Sequence, residues 1–364
     1  MIPKEKFTIH FSDEQIDNLR QRIASWRKPA PLQNDDWRHG TNQAYLQKLV
    51  DYWLNEYDWQ SRERELNCYD QFTCKINDAI IHFFYIKSCH SQGKPLILTH
   101  GWPDSFLRYV KLFPLLPEFD LVVPSLPGFA FSTLPSKGFL NNAEIAELWH
   151  TLMTDVLGYT EYIASGGDIG RGVTQFLATQ HPSAVRGIHL TDAGFLHNIV
   201  QAPDSMLTAA ARDYKRRANE WMQHEGAYIN IQSTKPQTLS YALADSPVGM
   251  VSWMVEKFHA WSDWSLLTMN DILDNAMLYW LTNTACTSIR MYHANAFTLP
   301  PLEKITVPVV FAIFPKDVLV PPRECIEKIY PDAVFTQMKA GGHFTAMEQP
   351  VAFAENIKQF MTMI

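Results

Sequence analysis

The sequence predicts an α/β protein with a mostly parallel central sheet and a helical insertion. Two short apolar runs, residues 95–99 and 119–123, have the length and composition of buried parallel strands. Such runs alternate with helix-like segments, as they do in βαβ units. Between residues 197 and 296 the alternation stops, and the chain becomes mostly helix-like and rich in Trp, Met and Tyr. This interruption predicts a lid inserted into the α/β core.

The predicted organisation of the 364 residues has four parts. The first part contains no candidate nucleophile, base or metal-ligand cluster, so we expect it to be a structural meander packed on the core. The lid separates the two halves of that core. The four parts are an N-terminal extension (1–67), the first half of the α/β core (68–196), the lid (197–296) and the second half of the core (297–364).

Two helices and a strand are predicted within the extension. Residues 7–11 alternate between apolar and polar side chains, which predicts a strand. Ser12 is a preferred N-cap residue and predicts the start of a helix that Pro29 and Pro31 end. Apolar residues at helical spacing predict a second helix over residues 42–56.

The first half of the core begins with a predicted β-hairpin. Residues 72–76 and 79–86 flank Asn77-Asp78, which is a turn signal. The apolar run 95–99 then stops at His100-Gly101-Trp102-Pro103. Because ligands of parallel sheets bind at the carboxyl ends of strands, we expect this loop to border a binding site.

A sharp Gly-rich turn lies at Ser165-Gly166-Gly167-Asp168-Ile169-Gly170. It follows a strand-like run and precedes a helix-like segment, which is the setting of a nucleophile elbow. Glycines let the strained central residue point out of such a turn, and here that residue is Asp168. A carboxylate nucleophile attacks carbon to form an alkyl ester, which disfavours ester and amide substrates. The alternative is that Asp168 only caps the helix, since Asp is a common N-cap residue.

Two further candidates follow predicted strands in the second half of the core. One strand-like run leads to Asp317, and Gly341-Gly342-His343 follows the next one. Singly, Asp317 could be a cap and His343 a loop residue. Nucleophile, acid and histidine in this chain order are typical of α/β-hydrolases, so together with Asp168 they favour catalysis. The backbone N–H groups of Trp102 and Ile169 are the predicted oxyanion hole.

Composition and charge exclude several classes of partner. The net charge of −7 gives no reason to expect nucleic acid or an anionic membrane. Five cysteines, odd in number and without C-x-x-C spacing, predict free thiols in a reducing compartment and no zinc site. Since no apolar run reaches the length of a membrane span, we expect a soluble, cytoplasmic protein with no membrane anchor. The oligomeric state stays open, a homo-oligomer included.

Nearly the whole chain resembles the microsomal-type epoxide hydrolases of the α/β-hydrolase family, which have an N-terminal extension. The resemblance implies a small-molecule epoxide substrate and no metal or organic cofactor. It also implies that Tyr228 and Tyr292 in the lid are catalytic; from the residues alone, Tyr214, Tyr241 and Tyr279 are equally eligible. The matching motifs are His100-Gly101-Trp102-Pro103, Pro124-Ser125-Leu126-Pro127-Gly128, Gly166-Gly167-Asp168, Gly226-Ala227-Tyr228, Thr234-Lys235-Pro236, Asp245-Ser246-Pro247-Val248-Gly249 and Gly341-Gly342-His343-Phe344.

The implied reaction has two steps. Asp168 attacks an epoxide carbon and forms a hydroxyalkyl ester, while the two lid tyrosines donate to the opening oxygen. His343, oriented by Asp317, then activates water that hydrolyses the ester to a vicinal diol. Asp317 stands where the microsomal enzyme carries Glu, and either carboxylate orients an imidazole.

Two rival functions stay open at this point. Haloalkane dehalogenases use the same Asp elbow, but that family supplies a halide donor from a Trp after the nucleophile, where this chain has Ile169. Many epoxide hydrolases also carry Trp there, so this wall of the pocket is predicted to be aliphatic. A non-catalytic binding protein of the same fold would be expected to lack Asp168, Asp317 or His343, and the sequence retains all three.

Overall fold

The computed structural model describes residues 1–30, 32 and 36–364. Within them one sheet of nine strands has the order β1-β2-β3-β5-β4-β6-β7-β8-β9. Strands β4 to β9 run parallel to one another, while β1, β2 and β3 add an antiparallel edge next to β5. The strands are β1 (Lys4–Phe7), β2 (Gln71–Ile76), β3 (Ala79–Ile86), β4 (Lys94–Thr99), β5 (Phe119–Pro124), β6 (Tyr162–Gly166), β7 (Val185–Leu190), β8 (Val309–Ile313) and β9 (Val334–Gln337).

Helices cover the sheet and form the lid between β7 and β8. They are α1 (Asp13–Ala24), α2 (Gln43–Asn55), α3 (Trp59–Leu66), α4 (Leu107–Val110), α5 (Asn142–Thr151), α6 (Ile169–Gln180), α7 (His197–Gln201), α8 (Ala209–His224), α9 (Ala227–Thr234), α10 (Pro236–Asp245), α11 (Pro247–Trp261), α12 (Met269–Leu281), α13 (Ala285–Ser288), α14 (Arg290–Thr298), α15 (Arg323–Glu327), α16 (Thr345–Glu348) and α17 (Pro350–Met361). Nowhere in the described ranges does a helix combine the length and apolarity needed to cross a membrane.

The predicted hairpin is confirmed, and the predicted first strand is wrong. Strands β2 and β3 pair antiparallel up to Ile76 and Ala79, on either side of the turn. Strand β1 ends at Phe7 instead of covering residues 7–11. The reason is that the backbone of Ile9 bonds to a side chain: its N–H donates to Asn67 Oδ1 at 2.9 Å, and its carbonyl accepts from Asn67 Nδ2 at 2.8 Å.

The start of α1 follows the predicted cap. Ser12 accepts from Gln15 N in a capping box, and α1 ends at Ala24. Pro31, one of the two prolines predicted to end this helix, lies outside the described residues. The second predicted helix is α2, for which Asn42 is the N-cap.

The N-terminal extension packs against the lid through α12. Tyr57 OH donates to Asp274 Oδ1 at 2.7 Å, and Arg62 Nε lies 2.8 Å from Asp274 Oδ2. Burial raises the pKa of Asp274 to about 6, although Arg62 opposes that change. Next to this pair, Trp53 Nε1 lies 3.2 Å from Met277 Sδ. The extension therefore contacts α12 of the lid through an ion pair, a hydrogen bond and side-chain packing.

Candidate active site

Asp168 occupies the turn between β6 and α6 in a strained conformation. Its φ of 57° and ψ of −125° are rare for a residue with a side chain. Gly170 permits the tight turn, because a Cβ there would overlap the carbonyl oxygen of Thr99. Asp168 stands at the N-cap position of α6, but its carboxylate does not make the side-chain capping bond to the described backbone of that helix; it instead accepts from Trp102 N at 2.9 Å. The helix-cap alternative is therefore wrong.

His343 lies between two carboxylates at the carboxyl edge of the sheet. Its Nδ1 is 2.7 Å from Asp317 Oδ1, and its Nε2 is 3.3 Å from Asp168 Oδ2. All three side chains are buried or nearly so. The structure thus brings together the three strand-end residues that the sequence singled out.

The electrostatics of the site favour a charged pair in the resting protein. Burial disfavours charge on the His343 ring, but Asp317 and Asp168 outweigh burial and raise the pKa of His343 from 6.5 to about 10. Burial also acts to raise the pKa of Asp168. Hydrogen bonds from His343 and from the backbone N–H groups of Trp102 and Ile169 outweigh it, and the pKa of Asp168 is lowered. At neutral pH the site holds a carboxylate and an imidazolium.

Tyr228 of α9 and Tyr292 of α14 meet above Asp168, around the ring of Trp102. Tyr228 stacks on that ring with centroids 5.6 Å apart, and Tyr292 meets it edge-on at 5.8 Å. The two tyrosine centroids are 5.9 Å apart. Burial raises the pKa of both phenols well above 10, and the nearby charge of Asp168 raises both further. Both tyrosines therefore keep their protons at neutral pH, within the electrostatic influence of Asp168.

The three other tyrosines that the sequence left eligible have different surroundings. Tyr279 OH donates to the carbonyl oxygen of Asp104 at 2.7 Å. Tyr214 OH accepts from the backbone N–H of Leu196 at 3.0 Å. Tyr241 is 72% exposed on the outside of the lid. The first two hydroxyls are engaged by backbone groups and the third faces solvent.

A cavity of about 270 Å³ opens above the three strand-end residues. Asp168, Asp317 and His343 form its base. Most of the wall is aromatic or aliphatic and comes from the lid and from the loops after β7 and β8. The wall includes Phe195, Trp221, Met222, Tyr228, Ile229, Trp261, Val318 and Leu319. In the part of the chain that the structure describes, no group of three His, Cys, Asp or Glu residues is arranged to hold a metal ion.

Family models match the chain in two overlapping parts. The model "Epoxide hydrolase N terminus" matches residues 4–109, and the model "alpha/beta hydrolase fold" matches residues 94–350. The chain is 36% identical over 370 residues to a putative epoxide hydrolase of Stigmatella aurantiaca, covering 97% of this chain and 83% of the relative. This chain belongs to the epoxide hydrolase family. It is also 33% identical to epoxide hydrolase 1 of Sus scrofa over 402 residues, covering 98% of this chain and 88% of the relative.

Solved structures agree with this assignment. The juvenile hormone epoxide hydrolase of Bombyx mori superposes with a TM-score of 0.90 at 29% identity, covering all of this chain and 95% of the other. The Aspergillus niger epoxide hydrolase superposes with a TM-score of 0.88 at 31% identity, covering all of this chain and 97% of the other. The predicted α/β-hydrolase fold, the predicted resemblance and the predicted epoxide hydrolase activity are confirmed.

Sequence reasoning missed Asp192, which this epoxide hydrolase places next to the elbow. Asp192 Oδ2 accepts from the backbone N–H of Asp168 at 2.7 Å. Its Oδ1 accepts from Gly194 N at 2.9 Å and lies 2.7 Å from Arg171 Nε. Burial raises the pKa of Asp192, and Arg171 opposes that change. Its position in the sequence could have indicated this role, because Asp192 follows β7, the strand next to β6, by two residues.

Two further buried groups fix the loops of the epoxide hydrolase site. Glu348 accepts hydrogen bonds from the backbone N–H groups of the residues before and after His343, both at 2.8 Å. Arg108 donates to the His343 carbonyl oxygen at 3.0 Å and pairs with Asp104. Asp104 in turn accepts from Gly101 N at 3.0 Å. These contacts connect the oxyanion-hole loop to the histidine loop. Sequence patterns did not indicate Arg108 or Glu348, because each lies about one helical turn beyond a recognised motif.

Proposed function

We propose that this epoxide hydrolase converts epoxides to vicinal diols through a covalent ester on Asp168. The observation that carries the proposal is the orientation of the Asp168 carboxylate. Its Oδ1 accepts from Trp102 N, while its Oδ2 faces His343 across the base of the cavity. One oxygen is thus held in an oxyanion hole, and the other is available as the nucleophile.

In the first step, Asp168 Oδ2 attacks an epoxide carbon and the carbon–oxygen bond of the ring breaks. The leaving oxygen takes a proton from Tyr228 or Tyr292, which keep their protons because burial raises their pKa values. The ester that forms is neutral, so His343 loses one of the two charges that hold its proton. The tyrosinate then takes a proton from His343, which becomes a neutral imidazole.

In the second step, neutral His343 takes a proton from water, and the hydroxide attacks the ester carbon of Asp168. Negative charge develops on Oδ1, where the backbone N–H groups of Trp102 and Ile169 stabilise it. The intermediate collapses, and Oδ2 leaves with the diol. The second proton of the water goes to the leaving oxygen, which restores the Asp168 carboxylate and the His343 imidazolium. Asp317 holds His343 throughout.

The cavity wall supports a compact, apolar epoxide as the substrate. Its aromatic and aliphatic lining favours hydrocarbon groups. The related enzyme of Bombyx mori is named a juvenile hormone epoxide hydrolase. We propose a cytoplasmic location as well, which the five unpaired cysteines support.

The proposal is tested by trapping the ester with His343→Gln. This variant retains the nucleophile and both tyrosines, so it should alkylate once and then stall. Intact-protein mass spectrometry after mixing with styrene oxide should show one added substrate mass per chain. Peptide mapping should locate it on the segment that contains Asp168.

The matched control is the double variant Asp168→Asn/His343→Gln, which should take up no mass. Normal turnover by His343→Gln, or an adduct on another residue, would overturn the proposed mechanism.

A further inference from the structure

Lys257 is a buried lysine close to the site that the mechanism above does not use. It lies on α11 and is 5% exposed. Its Nζ is 4.7 Å from the centroid of the Tyr228 ring, closer than to the rings of Trp253 at 5.9 Å and Trp261 at 6.0 Å. A cation over an aromatic face at this distance interacts with the ring more strongly when both are removed from water.

The packing of α9 against α11 fixes this arrangement. Tyr228 and Gln232 are one turn apart on α9, while Trp253, Lys257 and Trp261 are at successive turns of α11. Trp253 Nε1 donates to Gln232 Oε1 at 3.0 Å, and the rings of Tyr228 and Trp261 are 5.3 Å apart. Lys257 lies between these two contacts, and its ammonium is held on the ring of Tyr228.

The two lid tyrosines differ in their contact with positive charge. Lys257 lies over the ring of Tyr228, whereas among the described residues no lysine or arginine lies over the ring of Tyr292. Burial raises the pKa of Tyr228, and hydrogen bonding from Tyr292 acts in the opposite direction. Asp168 and Glu256 both raise the pKa of Tyr228, and Glu256 pairs with Lys257, whose ammonium lies over the Tyr228 ring. The Lys257 ammonium therefore contacts one tyrosine of the pair.

We propose that Lys257 makes Tyr228 the stronger of the two proton donors in epoxide opening. The proposal rests on the proposed function, because it requires the lid tyrosines to donate to the epoxide oxygen. As the O–H bond of Tyr228 breaks, negative charge grows on the phenol, and the ammonium over the ring stabilises that charge. The proton moves from Tyr228 to the epoxide oxygen, and Lys257 neither gains nor loses one. Glu256 opposes this effect because its carboxylate disfavours negative charge on Tyr228.

The test measures single-turnover ester formation with styrene oxide in the His343→Gln protein, with one tyrosine left at a time. Lys257→Met removes the charge and keeps an unbranched side chain. Where Tyr228 is the remaining donor, in Tyr292→Phe, Lys257→Met should slow ester formation about tenfold. Where Tyr292 is the remaining donor, in Tyr228→Phe, the same change should alter the rate less than about twofold.

Two further variants separate charge from packing. Lys257→Arg keeps a cation and should restore most of the rate in Tyr292→Phe. Glu256→Gln removes the opposing charge and should leave the rate unchanged or faster. If the Lys257–Glu256 pair only holds the helix, Glu256→Gln and Lys257→Met should both slow the reaction, which would overturn the proposal. If Lys257→Met does not fold, Lys257→Arg and Glu256→Gln still test the proposal.

The outcomes for Lys257 are distinct from those for the proposed function. Equal slowing by Lys257→Met in both tyrosine backgrounds would overturn the role of Lys257 and leave the ester mechanism intact. Ester formation at the parent rate without either tyrosine would overturn the role of the tyrosines themselves.

Discussion

The strand-end residues and the lid tyrosines of this epoxide hydrolase are held in place in different ways. Asp168 and His343 are fixed by directional hydrogen bonds to loops at the carboxyl edge of the sheet. Tyr228 and Tyr292 are placed mainly by ring packing around Trp102. In the proposed mechanism the strand ends provide the nucleophile and the hydrolytic base, whereas the lid provides the acid for ring opening. The proposed first half-reaction therefore needs both regions, and the second needs the strand ends alone.

The position of the lid depends on the N-terminal extension as well. Tyr57 donates a hydrogen bond to Asp274 of α12, with which Arg62 forms an ion pair, and Thr41 Oγ1 donates to the carbonyl oxygen of Ser252 in α11 at 2.6 Å. Helix α11 also carries Lys257 and Trp261, which contact Tyr228. The N-terminal extension therefore contacts two lid helices, of which α11 contacts a proposed proton donor.

The largest effect is expected when the lid loses both donors. Tyr228→Phe and Tyr292→Phe should each leave measurable alkylation, because one tyrosine partly replaces the other. Loss of a donor to developing charge costs about 10²–10³ in rate when nothing replaces it. The double variant should therefore lose far more than either single variant. Rapid-quench measurement of ester formation isolates this step from hydrolysis.

The control for this prediction is the hydrolysis of ester already formed, which should proceed normally in the single variants. If the double variant forms ester at the wild-type rate, the tyrosines serve only to pack the lid and do not donate to the epoxide oxygen.

Sequence predicted the strand-end region better than the lid. Asp168, Asp317 and His343 each follow a strand at a recognisable turn, and parallel strands bring their ends together. Tyr228 and Tyr292 are 64 residues apart by sequence number, and helical patterns do not fix how lid helices cross. Asp192 was missed because a lone Asp after a strand has no motif, although its bond to the elbow is short.

An intermediate effect is expected from Asp192, which holds the backbone of the nucleophile. Asp192→Ala removes the acceptor for the Asp168 N–H, so a strained turn loses a partner and the carboxylate is less well positioned. We expect alkylation to slow about tenfold or more, since loss of a hydrogen bond to a charged group costs about 1.5–3 kcal/mol. Asp192→Asn keeps an oxygen acceptor and should recover most of that rate.

The rate of ester formation and KM together distinguish a positioning role of Asp192 from a general effect on stability. Asp192→Ala should lower the rate of ester formation while KM stays nearly constant. Equal rates for the Ala and Asn variants would contradict a role for the hydrogen bond.

The smallest expected effect is a pH-dependent change in stability. The pKa of His343 is raised to about 10 in the folded protein from an ordinary 6.5. Its stabilising contribution is therefore fully present below pH 6.5 and is lost as the pH rises toward 10. The melting-temperature difference between wild type and His343→Gln should shrink across that range. In an Asp168→Asn background the loss should occur at lower pH, because one of the two carboxylates has gone. A difference that stays constant from pH 6 to 10 would contradict the charged pair.

The most direct test of the ester on Asp168 is a single turnover in H₂¹⁸O with enzyme in excess over epoxide. Water attacks the ester carbon, so its oxygen should remain in the Asp168 carboxylate. The first diol formed should then carry no ¹⁸O, and diol formed after a second addition of epoxide to the same enzyme should carry the label. Mass spectrometry of the diol and of the Asp168 peptide measures both. Labelled diol in the first turnover, with an unlabelled Asp168 peptide, would show direct attack of water on the epoxide and would contradict the account.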